Sequence, residues 1–446
     1  MEQKKTYSVK RAIVLLGLTA FATQFGAGNL IFPPFLGRET GEHWLIGYFG
    51  FFLIDVGLAC LVIYSGVVNR RGTQDGVVAK IGYIPGKILL TTIIVCLGLI
   101  IANPRTAATS FEMGIHELVP SLPLWLFSLV YFAVVIFLAI RPSKVVDIVG
   151  NYLTPVLLIV MLVLIVKGII TPVADVTPVE GVTTGSAFAE GIVQGYQTLD
   201  GIGGLLIFLL LLNNTKDFGY TDAKSIRKIV GGADVLACVL LGLVYGGLSY
   251  VGATVSGVES YADYDQAGLL INLSRELLGN AGGYALTIIV LFACLTTSIG
   301  LSSIVGNFFL DLSHGKIKYS WSVIIMNVWA FGMSQLGLTT IIAIAGPILT
   351  IVYAPMIVLG VMAYTDKFIH NDHIACVAAY VALIVSIIQV TNVGGLGDKL
   401  AFLPFTSAGL GWIIPAVIGG IIGAFWKDKK LLAEYEAGVF DHDTQF

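Results

Sequence analysis

Residues 25–34 read FGAGNLIFPP and interrupt the first long apolar stretch of the chain. The two glycines loosen a helix, and Pro33 and Pro34 each remove a backbone donor and crowd the preceding turn. Backbone left unpaired at membrane depth is tolerated only where it is buried in protein or lines a cavity. The stretch therefore predicts a discontinuous membrane helix.

A second interruption lies five apolar stretches later, where residues 196–204 read YQTLDGIGG. Glycine is common in membrane helices, so helix packing is one interpretation of either break alone. Two interrupted spans at matching positions of two halves favour the binding site of a transporter. Half-helix N-termini suit a carboxylate, while half-helix C-termini and unwound carbonyl groups suit a cation. A zwitterionic amino acid with a co-transported cation needs both.

The composition fits such a protein. The chain has 446 residues, of which 56% are hydrophobic and 12% are charged. Since soluble domains carry about 25% charged residues, this chain cannot coat a water-facing surface. A soluble enzyme, a disordered protein and a disulfide-rich secreted module are excluded. The net charge of −3 indicates no nucleic-acid partner, and the five cysteines lie in or beside apolar stretches, as buried small hydrophobes do.

The apolar stretches predict a polytopic membrane domain with twelve helical spans. Each stretch is long and continuous, unlike the alternating strands of a barrel, and about 20 residues suffice to cross the bilayer. The stretches are 12–36, 44–68, 86–111, 122–141, 145–169, 188–212, 229–254, 283–310, 320–336, 338–363, 374–392 and 407–426. The boundary around Gly337 is the least certain.

Charge sets the expected orientation. With the N-terminus inside and the spans alternating, twenty of the 25 Lys and Arg residues fall on the cytoplasmic side. We therefore expect both ends to be cytoplasmic, with an uncleaved basic lead at 1–11 and a short solvated tail at 427–446.

Four strings together resemble the bacterial branched-chain amino acid:cation symporters, within the amino acid–polyamine–cation superfamily. They are FGAGNLIFPP at 25–34, NPRTAATSFE at 103–112, GNYLTP at 150–155 and GYQTLD at 195–200. The resemblance implies a leucine-transporter-type fold with an inverted repeat of spans 1–5 (12–170) and 6–10 (188–363), and two appended spans (374–426). It also implies a multi-pass protein of the bacterial cell membrane that imports leucine, isoleucine and valine.

The resemblance to wider sodium symporters implies a Na⁺ site. The eighth span reads ACLTTSIG at 293–300, where Thr296 and Thr297 would supply hydroxyl oxygens and Ala293 a carbonyl. Ala22 and Phe25 of the first span would add carbonyl oxygens. Back-bonding of the hydroxyls to their own helix is the alternative.

The expected substrate site lies at the two breaks. Its candidate residues are Phe25, Gly26, Ala27, Gly28, Tyr196, Thr198, Leu199, Asp200, Gly201 and Ile202. Asp200 could pair with the substrate ammonium group, join a cation site, carry a coupling proton or cap the second half-helix.

Other polar residues at membrane depth are candidates for gating or structural roles, because burying a charge there costs about 2.5–3.5 kcal/mol. Asp55 is expected to make a structural hydrogen bond to an adjacent helix. Arg105 and Glu112 share a helical face, and Arg105 could gate the outer vestibule or form an ion pair. Asn29 could cap the half-helix or ligate a cation.

The sequence favours a secondary symporter over a channel or a membrane-embedded enzyme. It contains no Walker motif and no paired acid–base or zinc constellation. We expect no cofactor beyond Na⁺ as the coupling ion, and no obligate protein partner. The residues leave two alternatives open, namely coupling to H⁺ and another small neutral amino acid as the substrate.

Overall fold

The computed structural model describes residues 7–69, 74–140 and 144–426, together with Asp428 and Leu431. Within these ranges all regular secondary structure is helical. In chain order the α-helices are α1 (Val9–Gln24), α2 (Ala27–Thr40), α3 (Trp44–Phe52), α4 (Leu58–Val68), α5 (Gln74–Val78), α6 (Tyr83–Val95), α7 (Ala102–Ser110), α8 (His116–Leu118), α9 (Leu124–Ile140), α10 (Lys144–Ile170), α11 (Thr184–Thr198), α12 (Asp200–Asp217), α13 (Ala223–Ala253), α14 (Gln266–Leu312), α15 (Tyr319–Ser334), α16 (Leu338–Ala363), α17 (Asp372–Thr391), α18 (Leu396–Lys399) and α19 (Ile413–Ala424).

Several sequence predictions fall outside the described residues. They are the first six residues of the basic lead, nearly all of the tail and the cytoplasmic arginines Arg70, Arg71 and Arg141. The side chains of the motif at 150–155 are also outside the description. The orientation of the termini therefore stays a prediction.

Every predicted apolar stretch contains helix within the described residues, although the last, 407–426, is helical mainly at Ile413–Ala424. Six helices there are long and apolar enough to cross a membrane, and the bent pair α11–α12 makes a seventh if it counts as one span. Two further apolar helices, Leu124–Ile140 and Ile413–Ala424, are shorter, and Leu158–Ile170 is an apolar part of α10. The uncertain boundary at Gly337 is real, since its φ of 77° separates α15 from α16. The repeat of spans 1–5 and 6–10 stays a prediction.

One helical segment has no counterpart in the predicted spans. Helix α14 begins at Gln266, and Gly279 (φ 72°, ψ −179°) breaks it before the predicted eighth span begins. The first part of α14 is thus a separate helix that precedes the span. The sequence of this first part is less continuously apolar than that of the spans, so hydropathy does not predict it as a span.

Two membrane-spanning stretches, 28–68 and 83–115, contain three wider π-type turns. These turns are Leu53–Gly57 between α3 and α4, Cys96–Ile100 after α6, and Phe111–Ile115 after α7. A π-turn shifts the register of the side chains that follow it and is frequent at functional sites. The first of the three contains Asp55.

The helices pack as two groups around the interrupted spans. In one group α1 and α2 lie against α13, α3 against α11, and α4 against α12. In the other, α14 contacts α7, α9, α10 and α15. The α14–α2 and α10–α13 contacts join the groups, and Phe25 and Leu199 at the two breaks are buried inside the protein.

Small residues allow the close crossings within the first group. A Cβ on Gly37 would lie 1.9 Å from the carbonyl oxygen of Ser249, and one on Gly252 would lie 1.9 Å from that of Pro34. Helices in lipid associate through such close backbone approaches, since no hydrophobic force acts between them. These glycines position α2 against α13 and thereby position the first break.

Candidate functional site

The first interruption consists of two residues. Helix α1 ends at Gln24, Phe25 leaves the helical conformation (φ −76°, ψ 77°), and Gly26 is extended (φ −102°, ψ −176°) before α2 begins. Gly26 has no side chain to cap the first amide groups of α2. The last carbonyl groups of α1, including that of Ala22, have no partner further along that helix. The break thus presents donors on one side and acceptors on the other.

The second interruption is a single residue. Leu199 is left-handed (φ 71°, ψ 2°) and separates α11 from α12, which are bent by 43°. A non-glycine residue in this region costs about 1–3 kcal/mol and persists only where its surroundings hold it. Asp200 follows as the first residue of α12, and the residue before it makes no side-chain cap. The capping role considered for Asp200 is not the contact that its side chain makes.

A hydrogen bond joins the two interruptions. The amide Nδ2 of Asn29 donates to Oδ2 of Asp200 at 2.6 Å, across 171 positions of sequence. Asn29 is 2% exposed, so this bond to a carboxyl group is screened little by water. Both breaks therefore form one polar centre.

Arg105 completes the connection between the breaks. Its NH1 group donates to the carbonyl oxygen of Gln197, in the last turn of α11. A Cβ on Gly28 would lie only 2.6 Å from NH2 of Arg105, so the guanidinium lies against the start of α2. It also packs over the ring of Phe32, 5.5 Å from its centroid. The structure places this arginine at the polar centre, 4% exposed, and a gating role for it stays a prediction.

Glu112 lies apart from Arg105, although seven residues of regular helix would place both on one face. The π-turn that contains Glu112 changes the register, and its Oε1 accepts the backbone N–H of Leu338 at 2.9 Å. It therefore caps the start of α16.

Asp55 is the least expected member of the centre. It lies in the first π-turn and is fully buried. Its carboxyl group faces Thr198 and Asp200. Among the described residues, neither of its oxygens has a hydrogen-bond partner of ordinary geometry. The structural hydrogen bond to an adjacent helix stays a prediction, and the groups that Asp55 faces, on α11 and α12, are the candidates for it.

Aromatic rings enclose the centre. Tyr196 stacks at a tilt on Tyr353, with ring centroids 4.6 Å apart. Tyr245 lies against Phe25 and Phe51, at 6.0 and 5.7 Å. The candidate apolar residues Tyr196, Leu199 and Ile202 are all buried beside these rings. Tyr245 and Tyr353 were missed in the sequence, because tyrosines in apolar spans carry no signal of which face they occupy.

Two glycines of the centre differ in their surroundings. A Cβ on Gly201 would lie 2.7 Å from the ring of Tyr353 and 2.9 Å from Leu58, so Gly201 is required for packing. A Cβ on Gly26 would meet nothing closer than Asn29 Oδ1 at 3.7 Å and Thr297 Oγ1 at 3.9 Å.

The distance of 3.9 Å from a Cβ on Gly26 to Thr297 Oγ1 places the predicted eighth-span motif beside the first break. Thr297 faces Gly26, while Thr296 turns elsewhere on α14. Both hydroxyl groups donate to the carbonyl oxygen of Ala293 at 2.9 Å. This is the back-bonding considered from sequence, yet each hydroxyl oxygen keeps lone pairs that could ligate a cation. Phe25 and Ala22 lie at and just before the break, so the predicted donors fit a neutral-oxygen cation site.

Solved structures share this architecture. The chain is similar to Mhp1, a nucleobase-cation-symport-1 family transporter in a closed conformation with bromovinylhydantoin bound (TM-score 0.64, 14% identity, 96% of this chain and 95% of that chain). It is also similar to MhsT in complex with L-phenylalanine (TM-score 0.55, 14% identity, 94% and 99%). These likenesses confirm the predicted leucine-transporter-type fold.

Curated relatives cover nearly the whole chain. The branched-chain amino acid permease BrnQ of Escherichia coli K12 is 32% identical over 424 residues, 93% of this chain and 95% of the relative. The branched-chain amino acid permease BraB of Bacillus subtilis is 32% identical over 431 residues, 94% and 96%. The model of the family described as branched-chain amino acid transport protein matches residues 9–430. This chain therefore belongs to the branched-chain amino acid transport protein family, as a multi-pass membrane transporter and not an enzyme.

Proposed function

We propose that this protein is a secondary symporter that imports leucine, isoleucine and valine together with Na⁺ across the bacterial cell membrane. The observation that carries the proposal is the joining of both interrupted helices at one buried centre through Asn29 and Asp200. The relatives are permeases for branched-chain amino acids, which supports the substrate class.

The centre offers complementary groups for a zwitterion. The uncapped amide groups at the start of α2 and the guanidinium of Arg105 suit a carboxylate. Asp200 suits an ammonium group. The buried rings of Tyr196 and Tyr353 and the side chain of Ile202 suit a branched apolar tail. Gly26, Ala27 and Gly28 bring backbone close to the substrate, as do Thr198, Leu199 and Gly201.

Na⁺ as the coupling ion is supported by the donors around the first break. Thr297 faces Gly26, and we propose Ala22, Phe25, Ala293, Thr296 and Thr297 as its ligands. One structural neighbour is a Na⁺-coupled sialic acid symporter (TM-score 0.57, 14% identity). Coupling to H⁺ is a second candidate, which the facing carboxyl groups of Asp55 and Asp200 favour.

The test is uptake into proteoliposomes with the two gradients imposed separately. We expect concentrative leucine uptake with an inward Na⁺ gradient at equal pH, and none with a pH gradient in Na⁺-free buffer. Competition by isoleucine and valine, with alanine as the control, tests the substrate class. Concentrative uptake without Na⁺ under a proton gradient would contradict Na⁺ coupling, and preferential uptake of alanine would contradict the substrate.

A further inference from the structure

The polar centre holds one cationic side chain and two carboxyl groups. Arg105 and Asp55 are buried, at 4% and 0% exposure, and Asp200 is partly buried beside them. Electrostatic contact links Asp200 both to Arg105 and to Asp55. With both carboxyl groups ionised, the three side chains would carry one uncompensated negative charge.

The other groups around the carboxyl pair are neutral. They come from the helices around the pair, and are Asn29 on α2, Tyr48 on α3, Thr198 on α11, Tyr245 on α13 and Tyr353 on α16, while Cys294 on α14 faces Arg105. None of them supplies a positive charge. A buried charge without a partner is strongly unfavourable, so the centre needs one more cation.

A proton is the cation that fits two facing carboxyl groups. Two carboxyl groups sharing one site do not both ionise, because like charges repel strongly in a medium of low dielectric constant. With one proton they hydrogen-bond to each other, which gives Asp55 the partner that its oxygens lack. The described residues contain no group of three His, Cys, Asp or Glu side chains, so no third carboxyl, imidazole or thiol group joins the pair to hold a metal ion there.

The side chain of Asn29 connects the polar centre to the proposed Na⁺ site. The amide nitrogen of Asn29 contacts Asp200, while its Oδ1 faces Gly26, beside the hydroxyl group of Thr297. The amide group of Asn29 therefore lies between the first break and Asp200, so a positive charge at the break would act on this carboxyl group in a medium of low dielectric constant.

We propose that Asp55 and Asp200 share a single proton in the substrate-free protein, and that this proton is released when Na⁺ binds at the first break. The second half of the proposal rests on the proposed Na⁺ coupling, and the first half does not. Because the two cations satisfy the same charge, each weakens the binding of the other.

Infrared spectroscopy of the purified full-length protein in Na⁺-free buffer tests the shared proton directly. We expect one absorption band from a protonated carboxyl group, and either Asp55→Asn or Asp200→Asn should remove it. In each variant the one remaining carboxyl group stays ionised, because its negative charge balances the positive charge of Arg105. The double variant, Asp55→Asn with Asp200→Asn, should remove no further band. Asp234→Asn, which alters another buried carboxyl group at 4% exposure, is the matched control and should retain this band.

Two separate bands, each lost in one variant, would overturn the shared proton, as would a wild-type spectrum that neither substitution changes. If one of the two variants fails to fold, the other still tests the proposal. The melting temperature of each variant in detergent shows whether it is folded.

The pH dependence of the Na⁺ requirement tests the release of the proton. In wild-type proteoliposomes the Na⁺ concentration for half-maximal leucine uptake should rise as the pH falls, by up to about tenfold per pH unit. In Asp55→Asn this rise should be absent, and in Asp234→Asn it should persist. A flat wild-type profile with Na⁺-dependent uptake would overturn the release of the proton. Uptake that needs no Na⁺ at any pH would instead contradict the proposed function and leave the infrared result standing.

Discussion

At the scale of single residues, the centre depends on a few polar side chains in an apolar surrounding. Asn29, Asp55, Arg105 and Asp200 come from four different spans; the first three are buried and Asp200 is partly buried. Each is expensive to bury alone, so their contacts matter more than any individual charge. Removing one partner leaves another buried polar group unpaired.

Asn29→Ala removes the donor to Asp200 and should weaken leucine binding. Leaving a buried carboxyl group without its donor costs about 1–3 kcal/mol, which corresponds to roughly a 5- to 150-fold loss of affinity. Equilibrium binding of radiolabelled leucine to the purified protein measures this loss of affinity. The control is Asn272→Ala, since that amide bonds only within its own helix, to Gly268. Equal affinities in both variants would show that the bond between the breaks does not support binding.

Thr297→Val should raise the Na⁺ concentration for half-maximal uptake more than Thr296→Val does. Adjacent residues point about 100° apart on a helix, and Thr297 is the one that faces Gly26. Valine keeps the shape and removes the oxygen, so the substitution separates ligation from packing. Na⁺ titration of leucine uptake measures both variants, and a larger effect of Thr296→Val would contradict the assigned orientation.

At the scale of elements, departures from regular helix create the site. The left-handed Leu199 ends α11, the extended Gly26 starts α2, and the π-turn Leu53–Gly57 brings Asp55 towards Asp200. Regular helices would have satisfied every backbone group internally and left none for a ligand.

Two glycines of α12 offer a matched test of how tightly this element must pack. Gly201→Ala should lower the melting temperature and uptake, because its Cβ would overlap Tyr353 and Leu58, and overpacking costs about 1–3 kcal/mol. Gly201→Val should abolish uptake. Gly203→Ala should change neither, since no atom lies within 4 Å of the Cβ position. Equal effects at both positions would contradict the packing role of Gly201.

At the scale of the whole molecule, two helix groups meet at the interrupted spans. The group of α1–α4 and α11–α13 contacts the group around α14 through α2. A substrate at the junction touches both groups, so relative movement of the groups would change access to it. The orientation in the membrane rests on the asymmetry of Lys and Arg.

The connection between α10 and α11 should be extracellular if both termini are cytoplasmic. Gly181 is left-handed (φ 78°), so a side chain there would be strained, and the exposed neighbour Glu180 is the better position. In intact cells a single cysteine at Glu180→Cys should react with a membrane-impermeant maleimide added outside. Labelling only after permeabilisation would overturn the twelve-span topology.

The sequence alone determined the membrane class, the helical stretches and the positions of both breaks. These properties are local, because hydropathy, glycine and proline act on the backbone within a turn or two. The candidates Gly26, Asp200 and Thr297 were recognisable for the same reason, through short strings with a mechanism or a family resemblance.

Only the tertiary structure decided which polar groups meet. The contacts of Asn29 with Asp200, of Arg105 with Gln197 and of Asp55 with Asp200 span 171, 92 and 145 positions of sequence. Regular spacing predicted that Arg105 and Glu112 share a helical face, but not that Arg105 binds Gln197 of α11 while Glu112, in a π-turn, binds Leu338 of α16. Helix register and crossing geometry arise from packing across the whole bundle, and no local pattern encodes the side on which a buried carboxyl group finds its partner.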